Sequence, residues 1–388
     1  MRYDAIVLGL GGMGSAAAAH AAARGMRVLG LEQFGPAHAL GASHGRTRII
    51  RQAYFESPDY VPLLRGAYDL WDALEARTGT TLRARTGGLF VGRPDTPVVA
   101  GTIASARHWG LPHEIFDAAA LRARWPAIRP HDDEVGVYEA VAGAVFPEAA
   151  VAAQLQVAAA EGAELRFGVR VTGWDAGERA VSVTLADGTR IEAERLALCA
   201  GPWFGRIAAE FGVPLRIERN VQFWFEPVDR DAVTPDRLPI YAVERDDGPF
   251  FYGFPDFGDG AKIAHHGSGR EADPDALDRT VTDDEIAVAH DTLASFVPAA
   301  AGRFLRAAAC MYSNTPDEHF AIGALARNPR VVAAGGFSGH GFKFTPVIGA
   351  IVAALLAGDD PGFPLDLFAP DRFSRALRSS GAAPAAPR

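Results

Sequence analysis

The sequence predicts an α/β protein: a Rossmann-like, dinucleotide-binding domain joined to a second domain built on an antiparallel sheet. Three features predict this. The chain opens with a strand, a glycine-rich turn, a helix, a second strand and an acid, in that order. Residues 215–304 are rich in aromatic strands and poor in long helices. A second glycine-rich loop, from Gly335, feeds an apolar helix near the end of the chain.

The opening unit starts with Asp4-Ala5-Ile6-Val7-Leu8, a short apolar run of strand composition. Gly9-Leu10-Gly11-Gly12-Met13-Gly14 follows at once and fits G-x-G-x-x-G. Alanine-rich residues 15–24 read as a helix stopped by Gly25, and residues 28–31 as a strand ending at Glu32. In such a unit the first glycine allows the tight turn, the second lets the backbone approach a pyrophosphate, and the third lets helix and strand pack closely. These are Gly9, Gly11 and Gly14. The helix N-terminus adds free N–H groups and a positive dipole end for the phosphates. Glu32, about twenty residues past the glycines, is placed to accept hydrogen bonds from ribose hydroxyls. An acid there argues against the 2′-phosphate of NADP and does not separate FAD from NAD. The bland alternative is a glycine-rich turn in an ordinary α/β protein; the complete order of parts favours the nucleotide site.

Composition bounds the rest. The 388 residues suffice for two cores or one large interrupted core. A net charge of −9 argues against a general nucleic-acid or anionic-membrane binder. The two cysteines, Cys199 and Cys310, lie far apart, which implies neither a disulfide framework nor a metal cluster and fits a reducing cytoplasm. The sequence starts directly on the nucleotide unit, with no basic leader ahead of an apolar core. Residues 347–357 are the longest late apolar run, too short to span a bilayer and readable as a packed helix.

The intervening elements follow in order. Residues 60–77 carry helical periodicity through Leu63, Leu64, Tyr68, Leu70, Trp71 and Leu74. Residues 86–92 read as a strand, 96–109 and 118–125 as short helices, and 135–146 as extended segments interrupted at Gly143. A helix then begins at Glu148 and runs to about Glu161. Residues 163–167 and 169–174 are strand-like, and 181–185 pairs with 189–192 across Ala186-Asp187-Gly188. Residues 196–200 form a buried-type strand beside the nucleotide unit, with Cys199 as a small core residue. Turns are expected at 246–248 and 256–260, and residues 379–388, rich in Ala and Pro, read as disordered.

Three stretches carry chemistry. The segment Ala42-Ser43-His44-Gly45-Arg46-Thr47-Arg48-Ile49-Ile50-Arg51 is basic in an acidic protein. Arg48 and Arg51, three apart, would share one face of a helical turn, either gripping a carboxylate or pairing with surface acids. His44 alone reads as a loop or capping residue. The others are residues 309–320, with Cys310, Tyr312 and His319, and residues 335–346. In the latter, Gly339 and Gly341 could turn backbone N–H groups toward an electron-rich ring edge, and Lys343 could hold an anion. A tight strand-to-helix turn with a solvated lysine is the alternative. Lys262 by itself reads as an exposed strand lysine, and His265-His266 as ordinary.

With these motifs assembled, the chain resembles the monomeric sarcosine oxidase / N-methyltryptophan oxidase family of glycine-rich amino-acid oxidase flavoproteins. The likeness covers nearly the whole chain, including Gly9 to Gly14, Ser43-His44-Gly45 with Thr47 to Arg51, Tyr60-Val61-Pro62-Leu63, Tyr252-Gly253-Phe254-Pro255, Cys310-Met311-Tyr312 with Asp317 to Phe320, and Gly335 with Phe337 to Phe344. The resemblance implies FAD joined through the sulfur of Cys310 to its 8α carbon. It implies that Arg51 and Lys343 grip the substrate carboxylate, that Arg48 and Lys262 are the basic pair near the flavin, and that Lys262 activates oxygen. It places His266, Tyr252 and Tyr312 around the substrate and Val171 at the adenine end. The domains it implies are a discontinuous FAD-binding domain (1–80, 148–214 and 315–388) and a substrate domain (81–147 and 215–314), in a monomer acting on an amino acid and oxygen, with no nucleic acid, membrane or metal.

The chain departs from the pattern where close family members carry two histidines and an acid: here stands Ser43-His44-Gly45-Arg46, with Arg46 adding charge near the expected site and Phe55 replacing a small residue. Sarcosine, a bulkier N-methyl amino acid and a cyclic secondary amino acid such as proline or pipecolate all fit the implied reaction. The rival classes are an NAD-dependent dehydrogenase, and a flavoprotein without oxidase turnover, including one acting on a tethered modified base.

Overall fold

In the computed structural model, which describes residues 3–373 apart from 247, 249 and 268, the opening unit folds as the pattern predicts. Strand Tyr3–Leu8, helix Gly12–Ala23 and strand Val28–Leu31 form a parallel βαβ unit, with Ala5 opposite Val28 and Leu8 opposite Leu31. Val28–Leu31 is buried along its whole length, as a parallel sheet covered on both faces requires. Helix Gly12–Ala23 is built of alanine because helix Thr345–Ala357 crosses it closely: a Cβ on Gly349 would collide with Ala16.

Strand Arg190–Leu198 pairs in parallel with Tyr3–Leu8, and Asn328–Gly335 pairs in parallel beside it. The sequence reading split this segment into a hairpin arm and a separate buried strand; they are one element. Its polar half pairs antiparallel with Val181–Leu185, and its apolar half enters the parallel core. The change of pattern marked a change of environment along one strand.

The second large sheet runs in the order Phe304–Asn314, Arg216–Phe225, Ala261–His265, Phe251–Phe254, Ile240–Val243, Gly88–Gly92, Val135–Glu139, Glu114–Asp117. It is antiparallel apart from Ile240–Val243, which runs parallel to Gly88–Gly92. Helix Asp283–Phe296 begins with a capping box between Thr282 and Glu285 and buries Ala289, Leu293 and Phe296 against this sheet. The helices expected after residue 60 are Val61–Thr78, Pro97–Trp109, Ala118–Arg124 and Pro147–Ala160. The expected interruption of the extended segment falls at residues 140–142, just before Gly143. Gly143 begins strand Gly143–Val145, where a Cβ would strike the backbone of Ala84.

A small third sheet overturns the helical reading of the basic segment. Arg48–Ile50 is a strand paired with Gly143–Val145, because consecutive β-branched isoleucines favour the extended form. Side chains alternate along a strand, so Arg48 and Arg51 do not share a helical face. Among the described residues no helix is long and apolar enough to cross a membrane. The turn expected at 246–248 falls partly, and the tail 379–388 wholly, outside the described residues.

Candidate active site

An elongated cavity of about 350 Å3 runs from the nucleotide unit to the edge of the second sheet. Gly9, at φ +85°, makes the turn at one end, and a Cβ there would lie 2.6 Å from the Cys199 carbonyl oxygen. Gly14 presses on Gly9 too closely for any side chain. A Cβ on Gly11 would meet only Ser43 Oγ, at 3.8 Å, so the space over the turn is open to a diphosphate. Gly11 is also the N-cap of helix Gly12–Ala23 and has no side chain to occupy its first-turn N–H groups. Ser43 Oγ accepts from Gly12 N at 3.1 Å, tying the basic segment to the turn.

Glu32 is buried on the wall, its carboxylate accepting from Leu10 N at 2.8 Å and Phe34 N at 3.0 Å. Burial would raise its pKa; His38 and the two amides outweigh that and hold it below the usual carboxylate value. Val171 lines the same end, and Cys310, Tyr312, Gly339 and Gly341 line the far end. Gly339 adopts φ +77°, and a Cβ there would come within 2.5 Å of the Tyr312 ring. An extended dinucleotide, ribose at Glu32 and diphosphate over Gly11, fits this cradle.

Cys310 lies on strand Phe304–Asn314 with Arg48 Nη2 donating to its sulfur at 3.5 Å. Burial alone would raise the Cys310 thiol, but His44 and Arg48 outweigh it and bring the value down to about 6. Cys199 has no such neighbours among the described residues, and burial pushes it up to about 12. Only Cys310 is therefore set up as a thiolate at neutral pH. His44 is buried, with Nε2 lacking a hydrogen-bond partner among the described residues.

A second cavity, about 70 Å3, adjoins the first; Arg48, Gly339 and Phe342 belong to both walls. It holds Arg51, Lys343, Tyr252 and His266 together with Phe55, Phe90 and Phe250. Arg51 lies across the Tyr54 and Phe55 rings, 4.0 and 4.2 Å from their centres, and meets Glu56 at 2.5 Å. Lys343 Nζ donates to the His340 carbonyl at 2.6 Å and to Tyr54 Oη at 3.2 Å. Burial and then Arg51 pull its pKa down to about 7, against the pull of Glu56. The Tyr252 and Tyr312 hydroxyls are 3.3 Å apart, and His266 packs 5.3 Å from the Tyr312 ring. Burial lowers the His266 pKa, which keeps its imidazole neutral.

Lys262 is 2 % exposed, not the exposed strand lysine that the residues alone suggest. It lies behind the walls of both cavities rather than in them. Its ammonium meets three acceptors: Gly45 O and Thr47 O, each at 2.8 Å, and Thr47 Oγ1 at 3.2 Å. Burial, seconded by Arg48, pushes its pKa well below the ordinary lysine value. The three acceptors match the three N–H bonds of the charged form. Arg48 Nη1 shares the Thr47 carbonyl at 2.8 Å, so the two cations converge on one backbone loop.

Arg46 turns away from the site, against expectation. Its side chain is 66 % exposed and pairs with Asp259 at 3.0 Å, so its charge is met in solvent. Phe55 does face the second cavity. Sequence reasoning passed over Tyr54, Glu56 and His340, which sit at the buried end with Arg51 and Lys343. A tyrosine and an acid three and five residues after Arg51 are the available signal. Among the described residues no group of three His, Cys, Asp or Glu side chains could hold a metal ion.

Fold and cradle together define a dinucleotide-binding protein. The chain belongs to the FAD dependent oxidoreductase family, which it matches over residues 4–355. Within it, the chain belongs with the monomeric sarcosine oxidases and N-methyltryptophan oxidases. It is 48% identical to monomeric sarcosine oxidase of Streptomyces avermitilis over 381 residues, covering 96% of this chain and 98% of that protein. Identity to N-methyl-L-tryptophan oxidase of Salmonella heidelberg is 35%, covering 97% of this chain and 100% of that protein. Among solved structures, the open form of NikD, described as an unusual amino acid oxidase essential for nikkomycin biosynthesis, superposes with a TM-score of 0.84 at 25% identity, over 95% of this chain and 97% of that one. An NAD-dependent dehydrogenase is set aside by this membership.

Proposed function

We propose that the chain oxidises a compact secondary amino acid to its imine while oxygen is reduced to hydrogen peroxide, water then hydrolysing the imine. The observation that carries this reading is the second cavity: two buried cations, Arg51 and Lys343, beside a wall shared with the cofactor cavity. A carboxylate gripped there directs the neighbouring C–N bond toward the shared wall, converting binding into orientation. Bound FAD supplies a two-electron acceptor that oxygen restores. Neutral His266 is placed to take a proton from a substrate ammonium, and Phe55, Phe90 and Phe250 exclude water around the cations. Tyr252 and Tyr312 close the side toward Cys310. The small volume and aromatic walls favour sarcosine or a comparably compact N-methyl or cyclic amino acid. Cys310 is the residue proposed to tie the cofactor covalently, and Lys262 with Arg48 to supply positive charge where oxygen accepts electrons. The proposed domain division follows the two large sheets: 1–80, 148–214 and 315–388 for FAD, 81–147 and 215–314 for substrate.

Peroxide release across a panel of N-methyl and cyclic amino acids tests the activity; no peroxide from any of them overturns it. On the same panel Arg51→Ala and Lys343→Ala should each weaken substrate binding by about 1.5–3 kcal/mol, the cost of a lost charge-assisted hydrogen bond. Wild-type apparent affinity in both variants would remove the clamp.

The thiolate assignment is tested by pH. In protein produced without flavin, iodoacetamide alkylation of Cys310 should rise through about pH 6 and level off above it, because the thiolate is the nucleophile. Cys199 should stay unmodified at neutral pH. Peptide mass mapping reads both sites, and a Cys310 midpoint near the ordinary thiol value of about 8.5 would contradict the assignment.

A further inference from the structure

Behind the two clamp cations lies a buried hydrogen-bond chain that the proposed reaction does not use. Tyr54 is fully buried, with its ring 4.0 Å beneath Arg51 Cζ and its hydroxyl 3.2 Å from Lys343 Nζ. The same hydroxyl is 2.6 Å from His340 Nδ1. His340 Nε2 lies 3.0 Å from the Glu318 carbonyl oxygen, which can only accept. Nε2 therefore carries the imidazole proton and Nδ1 accepts. Burial drives the His340 pKa down to about 3, so the imidazole is neutral at neutral pH.

The direction of each bond follows. Tyr54 has one proton and gives it to His340 Nδ1, the nearer acceptor; the His340 carbonyl, at 3.3 Å, is farther. The phenol then turns lone pairs toward Lys343, whose ammonium has the His340 carbonyl, at 2.6 Å, as its second acceptor. Two of three N–H bonds are thus fixed, and the third is left for the cavity that Lys343 lines. The surroundings of Tyr54 are otherwise aromatic: Tyr60 and Phe344 pack on its ring. A phenylalanine would fill that space, and a buried hydroxyl is costly unless paired. Its presence is explained by the bonds it makes.

We infer that Tyr54, with its hydroxyl oriented by His340, is the positioning residue of the carboxylate clamp, holding the guanidinium of Arg51 by its ring face and aiming one N–H of Lys343 by its oxygen. The inference rests on the clamp reading above. It places the preorganisation for an anionic substrate in one side chain that never touches the substrate.

The test compares the holoenzyme with Tyr54→Phe, His340→Asn, the double variant and Lys343→Met, using sarcosine and its uncharged amide with peroxide as the readout. Tyr54→Phe keeps the ring under Arg51 and removes only the oxygen. KM for the carboxylate should rise about tenfold, the low end for losing a hydrogen bond to a charged group, with a much smaller change in kcat and in the amide's KM. His340→Asn should move the same carboxylate-to-amide ratio. The double variant should be no worse than Tyr54→Phe alone, because both act through one hydroxyl. If Lys343→Met changes the ratio and Tyr54→Phe does not, the positioning role is overturned while the clamp stands. If Lys343→Met leaves the ratio unchanged, the clamp falls and the positioning role with it. A general packing defect, which would raise both KM values together, also overturns the inference.

Discussion

Lys262→Met should keep its FAD and be reduced anaerobically by substrate at close to the wild-type rate, while its reaction with oxygen slows by about a hundredfold, the scale set by removing one preorganised electrostatic contact. Oxygen accepting an electron develops negative charge, and a fixed cation in a dry site stabilises it far more than one in water. Among the described residues no carboxylate is hydrogen-bonded to Lys262; its ammonium is held by the Gly45 and Thr47 carbonyls and the Thr47 hydroxyl. Methionine preserves the aliphatic volume over Trp224 and Phe254, whose ring centres lie 5.3 and 4.8 Å from Nζ. Stopped-flow measurement of the two half-reactions decides it, and an unchanged rate with oxygen would sink the assignment.

Cys310→Ser should lose covalent flavin entirely. When the wild-type protein is denatured in acid and pelleted, yellow colour should stay with the pellet; in the variant it should leave with the supernatant. The reason is local: the sulfur lines the cofactor cavity, receives an Arg48 N–H at 3.5 Å and is brought down to about 6 by His44 and Arg48 against its burial. Serine cannot ionise there. A colourless wild-type pellet would end the covalent link while leaving FAD binding in place.

The nucleotide half of this molecule was legible because its signals are local. Gly9, Gly11, Gly14 and Glu32 sit within one βαβ unit, where chain direction and backbone geometry are dictated by neighbours in sequence. The antiparallel sheet was legible from aromatic composition and turns, although its strands from 88–92, 114–117 and 135–139 are recruited from far upstream. Cys310 and Lys262 received their roles through likeness to a family; the residues alone make Lys262 an exposed strand lysine and leave Lys343 open between an anion holder and a solvated lysine.

Burial and partnership were decided only by the tertiary structure. Arg46 and Arg48 stand two apart, yet one pairs with Asp259 in solvent and the other reaches Cys310 across 262 residues of chain. The helical reading of Arg48 and Arg51 failed because consecutive isoleucines favour the extended form and residues 143–145, remote in sequence, pair with it in a sheet. Tyr54, Glu56 and His340 gained their roles only where the loop after Arg51 meets the loop before Lys343. The sequence by itself determined a dinucleotide site and the inventory of charges. The fold determined which groups lose their water and which neighbours they meet: burial lowers Lys262 and Lys343, whereas His44 and Arg48 lower Cys310 against its burial.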